Sequence, residues 1–193
     1  QQSLTTNITG TYYLTVTDGN GCLNYDNISV FTNPLPNVSF AGLQASYCPY
    51  ELGDSLFGNP VGGSFSGPAI FGDYFYPPGT NPGIYEIIYS YTDIYNCTNS
   101  DTQSVEIFSL PNVSFTGLSS LYFDNDPQDT LIGSPSGGIF NGSGMSSNVF
   151  SPASSGVGYF TISYVYADSN TCISTAVQSV TVTSAFSLDG QLH

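Results

Sequence analysis

One twelve-residue stretch, used three times at intervals of 75 residues without a gap, constrains this chain more than any other feature. The copies read TYYLTVTDGNGC, EIIYSYTDIYNC and TISYVYADSNTC, and they end at Cys22, Cys97 and Cys172. In each, alternate positions are large and apolar: Tyr12, Leu14 and Val16, then Ile87, Tyr89 and Tyr91, then Ile162, Tyr164 and Tyr166. The positions between them are mostly Thr, Ser or Glu. A period of two marks a strand with one buried face. Each copy then meets an Asp (Asp18, Asp93, Asp168), a short polar turn and the cysteine. Everything else in the chain has to cover the apolar side of that strand.

The period also divides the sequence. Residues 35–109 and 110–184 are two complete modules that match at 29 of 75 positions. Both begin LPNVSF and carry a glycine-rich bend, GNPVGGSFSG or GSPSGGIFNG. Residues 1–34 read as the C-terminal half of a further module, and residues 185–193 depart from the pattern. An ungapped match of this kind means duplication of a folded unit. About seven short strands per module, with turns every ~8–12 residues, predict an all-β chain of tandem immunoglobulin-like β-sandwiches. Helical periodicity is not seen. The Leu35-Pro36 and Leu110-Pro111 junctions are short, and proline fixes φ there, so the expected arrangement is a rod.

The half-module reads as a cut through a longer protein, because Tyr12, Leu14 and Val16 have lost half of their sandwich. Burying each is worth roughly 1.5–3 kcal/mol. Two covers are open: the preceding part of the same polypeptide, which this reading prefers, or a strand from a neighbouring subunit. For the second, Phe186 and Leu188 alternate in the tail and are the obvious donor.

Composition removes whole classes of function. There are 14 acidic residues, no Lys or Arg, and one His at the last position. Phosphate contacts need Lys or Arg, which argues against nucleic acid, and an anionic membrane surface is disfavoured for the same reason. No run approaches ~18 apolar residues, so no membrane-inserted segment is expected. A Ser-His-Asp arrangement cannot be assembled within the chain. Paired carboxylates find no support either: Glu51, Glu86 and Glu106 have no counterparts in the other complete module. The chain reads as non-enzymatic. Trypsin should leave it intact, native or denatured; an internal tryptic fragment on a gel or by mass spectrometry would contradict the sequence.

The combination YC…L-x-G-x-P-x-G-G-x-F-x-G…F-x-P…Y-x-Y-x-D…C…Q-S-V resembles the immunoglobulin-like (PKD-like) repeats of very large Bacteroidota surface proteins. Those include gliding-motility adhesins and other cargo of type IX secretion, and GTYYLTVTDGNGC at residues 10–22 is similar to the repeat of the large gliding adhesins. The resemblance implies a secreted, cell-surface, non-catalytic structural or adhesive module of a stalk or filament. Its partners would be neighbouring repeats or filament subunits, and surface glycans. It also implies a disulfide between Cys48 and Cys97, for which an extracellular setting is permissive. The alternative is a pair of buried free thiols. Phe123 stands where module 35–109 has Cys48, so Cys172 lacks a partner in its own module, and so does Cys22. Asp54-Ser55-Leu56 and Asp129-Thr130-Leu131 look like the Asp-Ser/Thr-apolar acceptor motif for O-glycosylation in these bacteria, which singles out Ser55 and Thr130. A strand entry explains the same three residues equally well.

Two further sets of residues are candidates for ligands. Asp124, Asp126 and Asp129 supply hard oxygens that suit calcium, although their spacing is not that of an EF-hand and a solvated acidic loop fits them too. No other cofactor is expected. Tyr74 and Tyr76 flank an inward Phe75 and can stack on sugars, which makes a carbohydrate-binding module the main alternative function. An accessory domain of a larger secreted enzyme is the other.

Overall fold

The computed structural model describes residues 4–185. Strands dominate throughout, and the chain is an all-β array of tandem β-sandwich modules. It divides into two compact units that do not follow the 75-residue period. One holds Gln1–Leu43, Asp54–Phe75 and Glu86–Gln103; the other holds Gln44–Gly53, Tyr76–Tyr85 and Ser104–His193.

The first unit opens with a hairpin of β1 (Gly10–Thr17) and β2 (Leu23–Val30), paired antiparallel along its whole length from Gly10↔Val30 to Thr17↔Leu23. Module 35–109 then supplies β3 (Ser39–Ala41), β4 (Ser46–Tyr47), β5 (Asp54–Ser55), β6 (Phe57–Asn59), β7 (Ser64–Ser66), β8 (Ile70–Phe71), β9 (Tyr74–Phe75), β10 (Gly83–Thr92) and β11 (Thr98–Ile107). Within the first unit β3 pairs with β6, β9 lies between β5 and β8, and β7 runs along β10 with Tyr89 opposite Phe65.

In the second unit the module 110–184 is seen whole. It contains β12 (Ser114–Thr116), β13 (Leu121–Phe123), β14 (Asp129–Thr130), β15 (Ile132–Ser134), β16 (Ile139–Asn141), β17 (Met145–Ser146) and β18 (Val149–Phe150). A single helical turn α1 (Pro152–Ser155) follows, then β19 (Gly158–Ala167) and β20 (Ile173–Thr183). One layer is the four-stranded sheet β13-β20-β19-β16, parallel at β13–β20 and antiparallel elsewhere; the other is built from the ribbons β12-β15 and β14-β18-β17. Phe115, Tyr122, Leu131 and Phe150 meet Ile162, Tyr164, Val180 and Val182 between the layers. Period two works as the sequence says: Ile162 and Tyr164 are buried and their neighbours are not.

Nine short strands stand where about seven were expected, because two-residue pairs such as β14 and β17 are too brief to show a period. The turn α1 escaped for the same reason: four residues carry no helical pattern. Ser151 caps it, accepting from the Ser154 N–H, and Pro152 needs no amide partner at the first turn.

The segment 44–53 belongs to the second unit for visible reasons. Tyr47 pairs in parallel with Ile107 of β11, the Ile173 N–H donates to the Tyr50 hydroxyl at 2.8 Å, and Cys48 is bonded to Cys172.

Candidate functional site

The Asp…Cys element is the same turn three times over. The carboxylate of Asp18 accepts from the N–H groups of Asn20 (2.8 Å) and Cys22 (2.9 Å). Asp93 does so from Tyr95 (2.8 Å) and Cys97 (2.9 Å), and Asp168 from Asn170 and Cys172 (2.9 Å each). In each copy the Asp N–H also donates to the cysteine carbonyl at 3.0 Å. The tip residue has positive φ: Gly21, Asn96 and Thr171. Glycine takes that conformation freely and a β-branched threonine does not. Thr171 is held there by the bonds around it.

Cys172 is joined to Cys48, at a sequence separation of 124 residues, so the bond links consecutive repeats. This corrects the expected Cys48–Cys97 pair: Cys97 is a half-buried free thiol, and Cys22 is an exposed one. Strand geometry gives the reason. Cys48 follows Tyr47, which pairs at Ile107, whereas Cys97 precedes the opposite end of β11. A strand of that length spans about 33 Å, and disulfide-bonded residues have Cα atoms roughly 4.4–6.8 Å apart. Glu51 fixes the Cys48 loop by accepting from the Cys48 N–H at 2.9 Å, as Asp126 does from the Phe123 N–H at the equivalent place in the next module.

The glycine-rich bend serves the core tyrosine, a role that sequence reasoning missed. The Tyr164 hydroxyl accepts from the Gly138 N–H (2.8 Å) and donates to the Pro135 carbonyl (2.6 Å). The Tyr89 hydroxyl makes the same pair with Gly63 and Pro60. The ring lies against the bend so closely that a Cβ on Gly133 would stand 2.1 Å from Tyr164 Cζ, and one on Gly58 2.0 Å from Tyr89 Cζ. The signal was present: in both complete modules G-x-P-x-G-G precedes a tyrosine at the second core position.

The acidic run does not converge. Asp124 accepts from the Ala185 N–H (2.9 Å), Asp126 from the Phe123 N–H (2.7 Å), and Asp129 from the Tyr122 hydroxyl (2.6 Å). Among the described residues no three His, Cys, Asp or Glu are grouped to hold a metal ion. Asp129 thus has a structural task within its D-T-L motif, and Leu131 is a core residue. Ser55 and Thr130 are exposed and occupy equivalent strand pairs, opposite Tyr74 and Val149.

Burial, and next the bond to Asp129, push the Tyr122 phenol up to about 12. The unfolded value is about 10. The neutral phenol therefore stabilises the fold fully below about pH 10, and that contribution is lost as pH rises through about 12. In urea titrations across pH 9–12, Tyr122→Phe should show a shallower alkaline loss of stability, by up to about one proton's slope. An unchanged slope would contradict the Tyr122–Asp129 geometry.

Phe75 is fully buried, as its place between two tyrosines suggested, while Tyr74 is half-buried and Tyr76 only 39% exposed. Tyr12 is half-buried, and Leu14 and Val16 are exposed on the hairpin; Phe186 and Leu188 lie outside the described residues. Every buried side-chain nitrogen or oxygen among the described residues has a hydrogen-bond partner. No helix among them is long and apolar enough to cross a membrane.

No protein-family model matches the chain, and no curated protein is significantly similar to it. Among solved structures, a chain described as a "Ca2+-stabilized adhesin" that "helps an Antarctic bacterium reach out and bind ice" superimposes with a TM-score of 0.40 at 11% identity. That alignment covers 90% of this chain, which spans 56% of the length of the other.

Proposed function

We propose that the chain is a non-catalytic structural and adhesive segment of an extracellular surface protein, its repeats forming part of a stalk or filament of the kind found on Bacteroidota. The observation that carries this reading is the Cys48–Cys172 bond. It joins successive copies of one module, which suits a chain that transmits force and an oxidising setting outside the cell. The absence of any basic residue within the repeats points the same way, since it removes the cleavage sites of trypsin-like proteases.

In the polypeptide that carries them, replacing residues 35–184 by a flexible linker should weaken surface attachment and leave secreted enzyme activities unchanged. Loss of an enzyme activity with attachment intact would favour the accessory-domain reading and overturn this one. The carbohydrate-binding reading draws less support, because Tyr74 is half-buried. It predicts glycan-array binding that disappears in Tyr74→Ala/Tyr76→Ala.

A further inference from the structure

We infer that the inward face of the β1–β2 hairpin is a docking site for a half-module of the same repeat, carried N-terminal to it on the same polypeptide, and that this half-module supplies the disulfide partner of Cys97.

The hairpin is already folded as its counterparts are. Gly10↔Val30, Tyr12↔Ile28 and Leu14↔Asp26 repeat, two periods earlier, the register Phe160↔Val180, Ile162↔Gln178 and Tyr164↔Ala176. In the later module this face is roofed by Phe115, Tyr122, Leu131 and Phe150, all from the stretch directly N-terminal to β19. The two sheet edges are taken by β13 and β16. On the hairpin the same face is open: Leu14 is 59% exposed where Tyr164 is 2% exposed. A concavity of about 610 Å³ lies over it, lined by Leu4, Tyr12, Leu14 and Ile28 among others.

Two polar positions of the face match those that seat the LPNVSF strand in module 35–109. Asn99 and Asp101, one period later, hold the LPNVSF strand: Asn99 Nδ2 donates to the Pro36 carbonyl (2.9 Å), and the Phe40 N–H donates to Asp101 Oδ2 (3.1 Å). The hairpin has Asn24 and Asp26 at those two positions. It therefore keeps two of the contacts that seat this strand in module 35–109, whereas Ile28 stands where Gln103 and Gln178 donate to the Phe40 and Phe115 carbonyls. The module 110–184 seats its LPNVSF strand with Ser174 and Ala176 at the first two positions.

The cysteines give an independent pointer to the same segment. Cys172 is bonded 124 residues back, to Cys48. Cys97 occupies the same turn, with the same carboxylate bonds, and is a free thiol. The same interval counted back from Cys97 falls in the half-module that would cover the hairpin, at the position equivalent to Cys48. Bond formation takes a small-molecule disulfide as oxidant. The Cys97 thiolate displaces one thiolate from it, and the incoming cysteine then displaces the second. One S–S bond forms, two electrons pass to the oxidant, and two protons leave the cysteines for the two released thiols.

The probe is a synthetic peptide of residues 35–84, added to the intact chain in a glutathione disulfide/glutathione buffer. Expected are one peptide per chain, hydrogen-exchange protection of residues 10–32, and a peptide Cys48 bond to Cys97 by mass spectrometry. Asp26→Ala should weaken binding at least tenfold, and Leu14→Asp should abolish it. Cys97→Ser should keep binding and lose the bond. A second form, with a copy of residues 35–84 joined ahead of residue 10 in repeat frame, covers failure of the free peptide to fold. Hairpin protection from self-association of the chain alone, a bond to Cys22 or Cys172 instead, binding without any bond to Cys97, or an unprotected hairpin in the joined form would each overturn the inference.

Discussion

Removing the Cys48–Cys172 bond should lower the stability of the unit that holds it by up to about 5 kcal/mol, the largest single effect expected in this chain. On the chain-entropy account, the cost of closing a loop rises with its length, and this loop spans 124 residues. Both cysteines are buried, so replacement also affects packing around the Asp168 turn and the Glu51 loop. Cys48→Ala/Cys172→Ala compared with the parent in urea unfolding measures the loss. Cys22→Ser should be silent, because that thiol is exposed. A Cys97→Ser variant as damaged as the Cys48→Ala/Cys172→Ala pair would mean that the bond had been assigned to the wrong cysteine.

Gly133→Ala should cost about 3 kcal/mol or more, far above the ~1 kcal/mol typical of a substitution. The added methyl would lie 2.1 Å from Tyr164 Cζ, and the ring cannot step aside. It is buried in the core, and its hydroxyl is tied to Gly138 and Pro135. Adding Tyr164→Leu should recover part of the loss, since leucine is the residue the hairpin uses at that position. Gly19→Ala, with nothing within 4 Å of the added carbon, should change stability little. Thermal unfolding of the three variants decides it; equal effects at Gly133 and Gly19 would contradict the ring–bend contact.

Much of the fold was readable because the information was local. Alternation over ten residues picked out β10 and β19, the repeat set their relative frame, and the Asp before each cysteine marked a turn that three copies build with the same bonds. What failed was long-range. The Cys48–Cys97 pairing assumed that a module closes on its own cysteines, but β11 carries Cys97 away from the end where Tyr47 pairs. In the acidic run, read as a solvated loop or a calcium site, each carboxylate serves a different backbone or hydroxyl donor. The tyrosine clamp was present in the sequence as a glycine pattern and a tyrosine 26 residues apart, and only the fold shows that one exists for the other.

Disulfide mapping of the unreduced chain tests the central claim, that covalent linkage runs between successive repeats. Glu- and Asp-directed proteases cut between the cysteines, where trypsin cannot. The account predicts a Cys48–Cys172 peptide pair, with Cys22 and Cys97 recovered as free thiols. A Cys48–Cys97 pair would contradict it and place the bond within module 35–109.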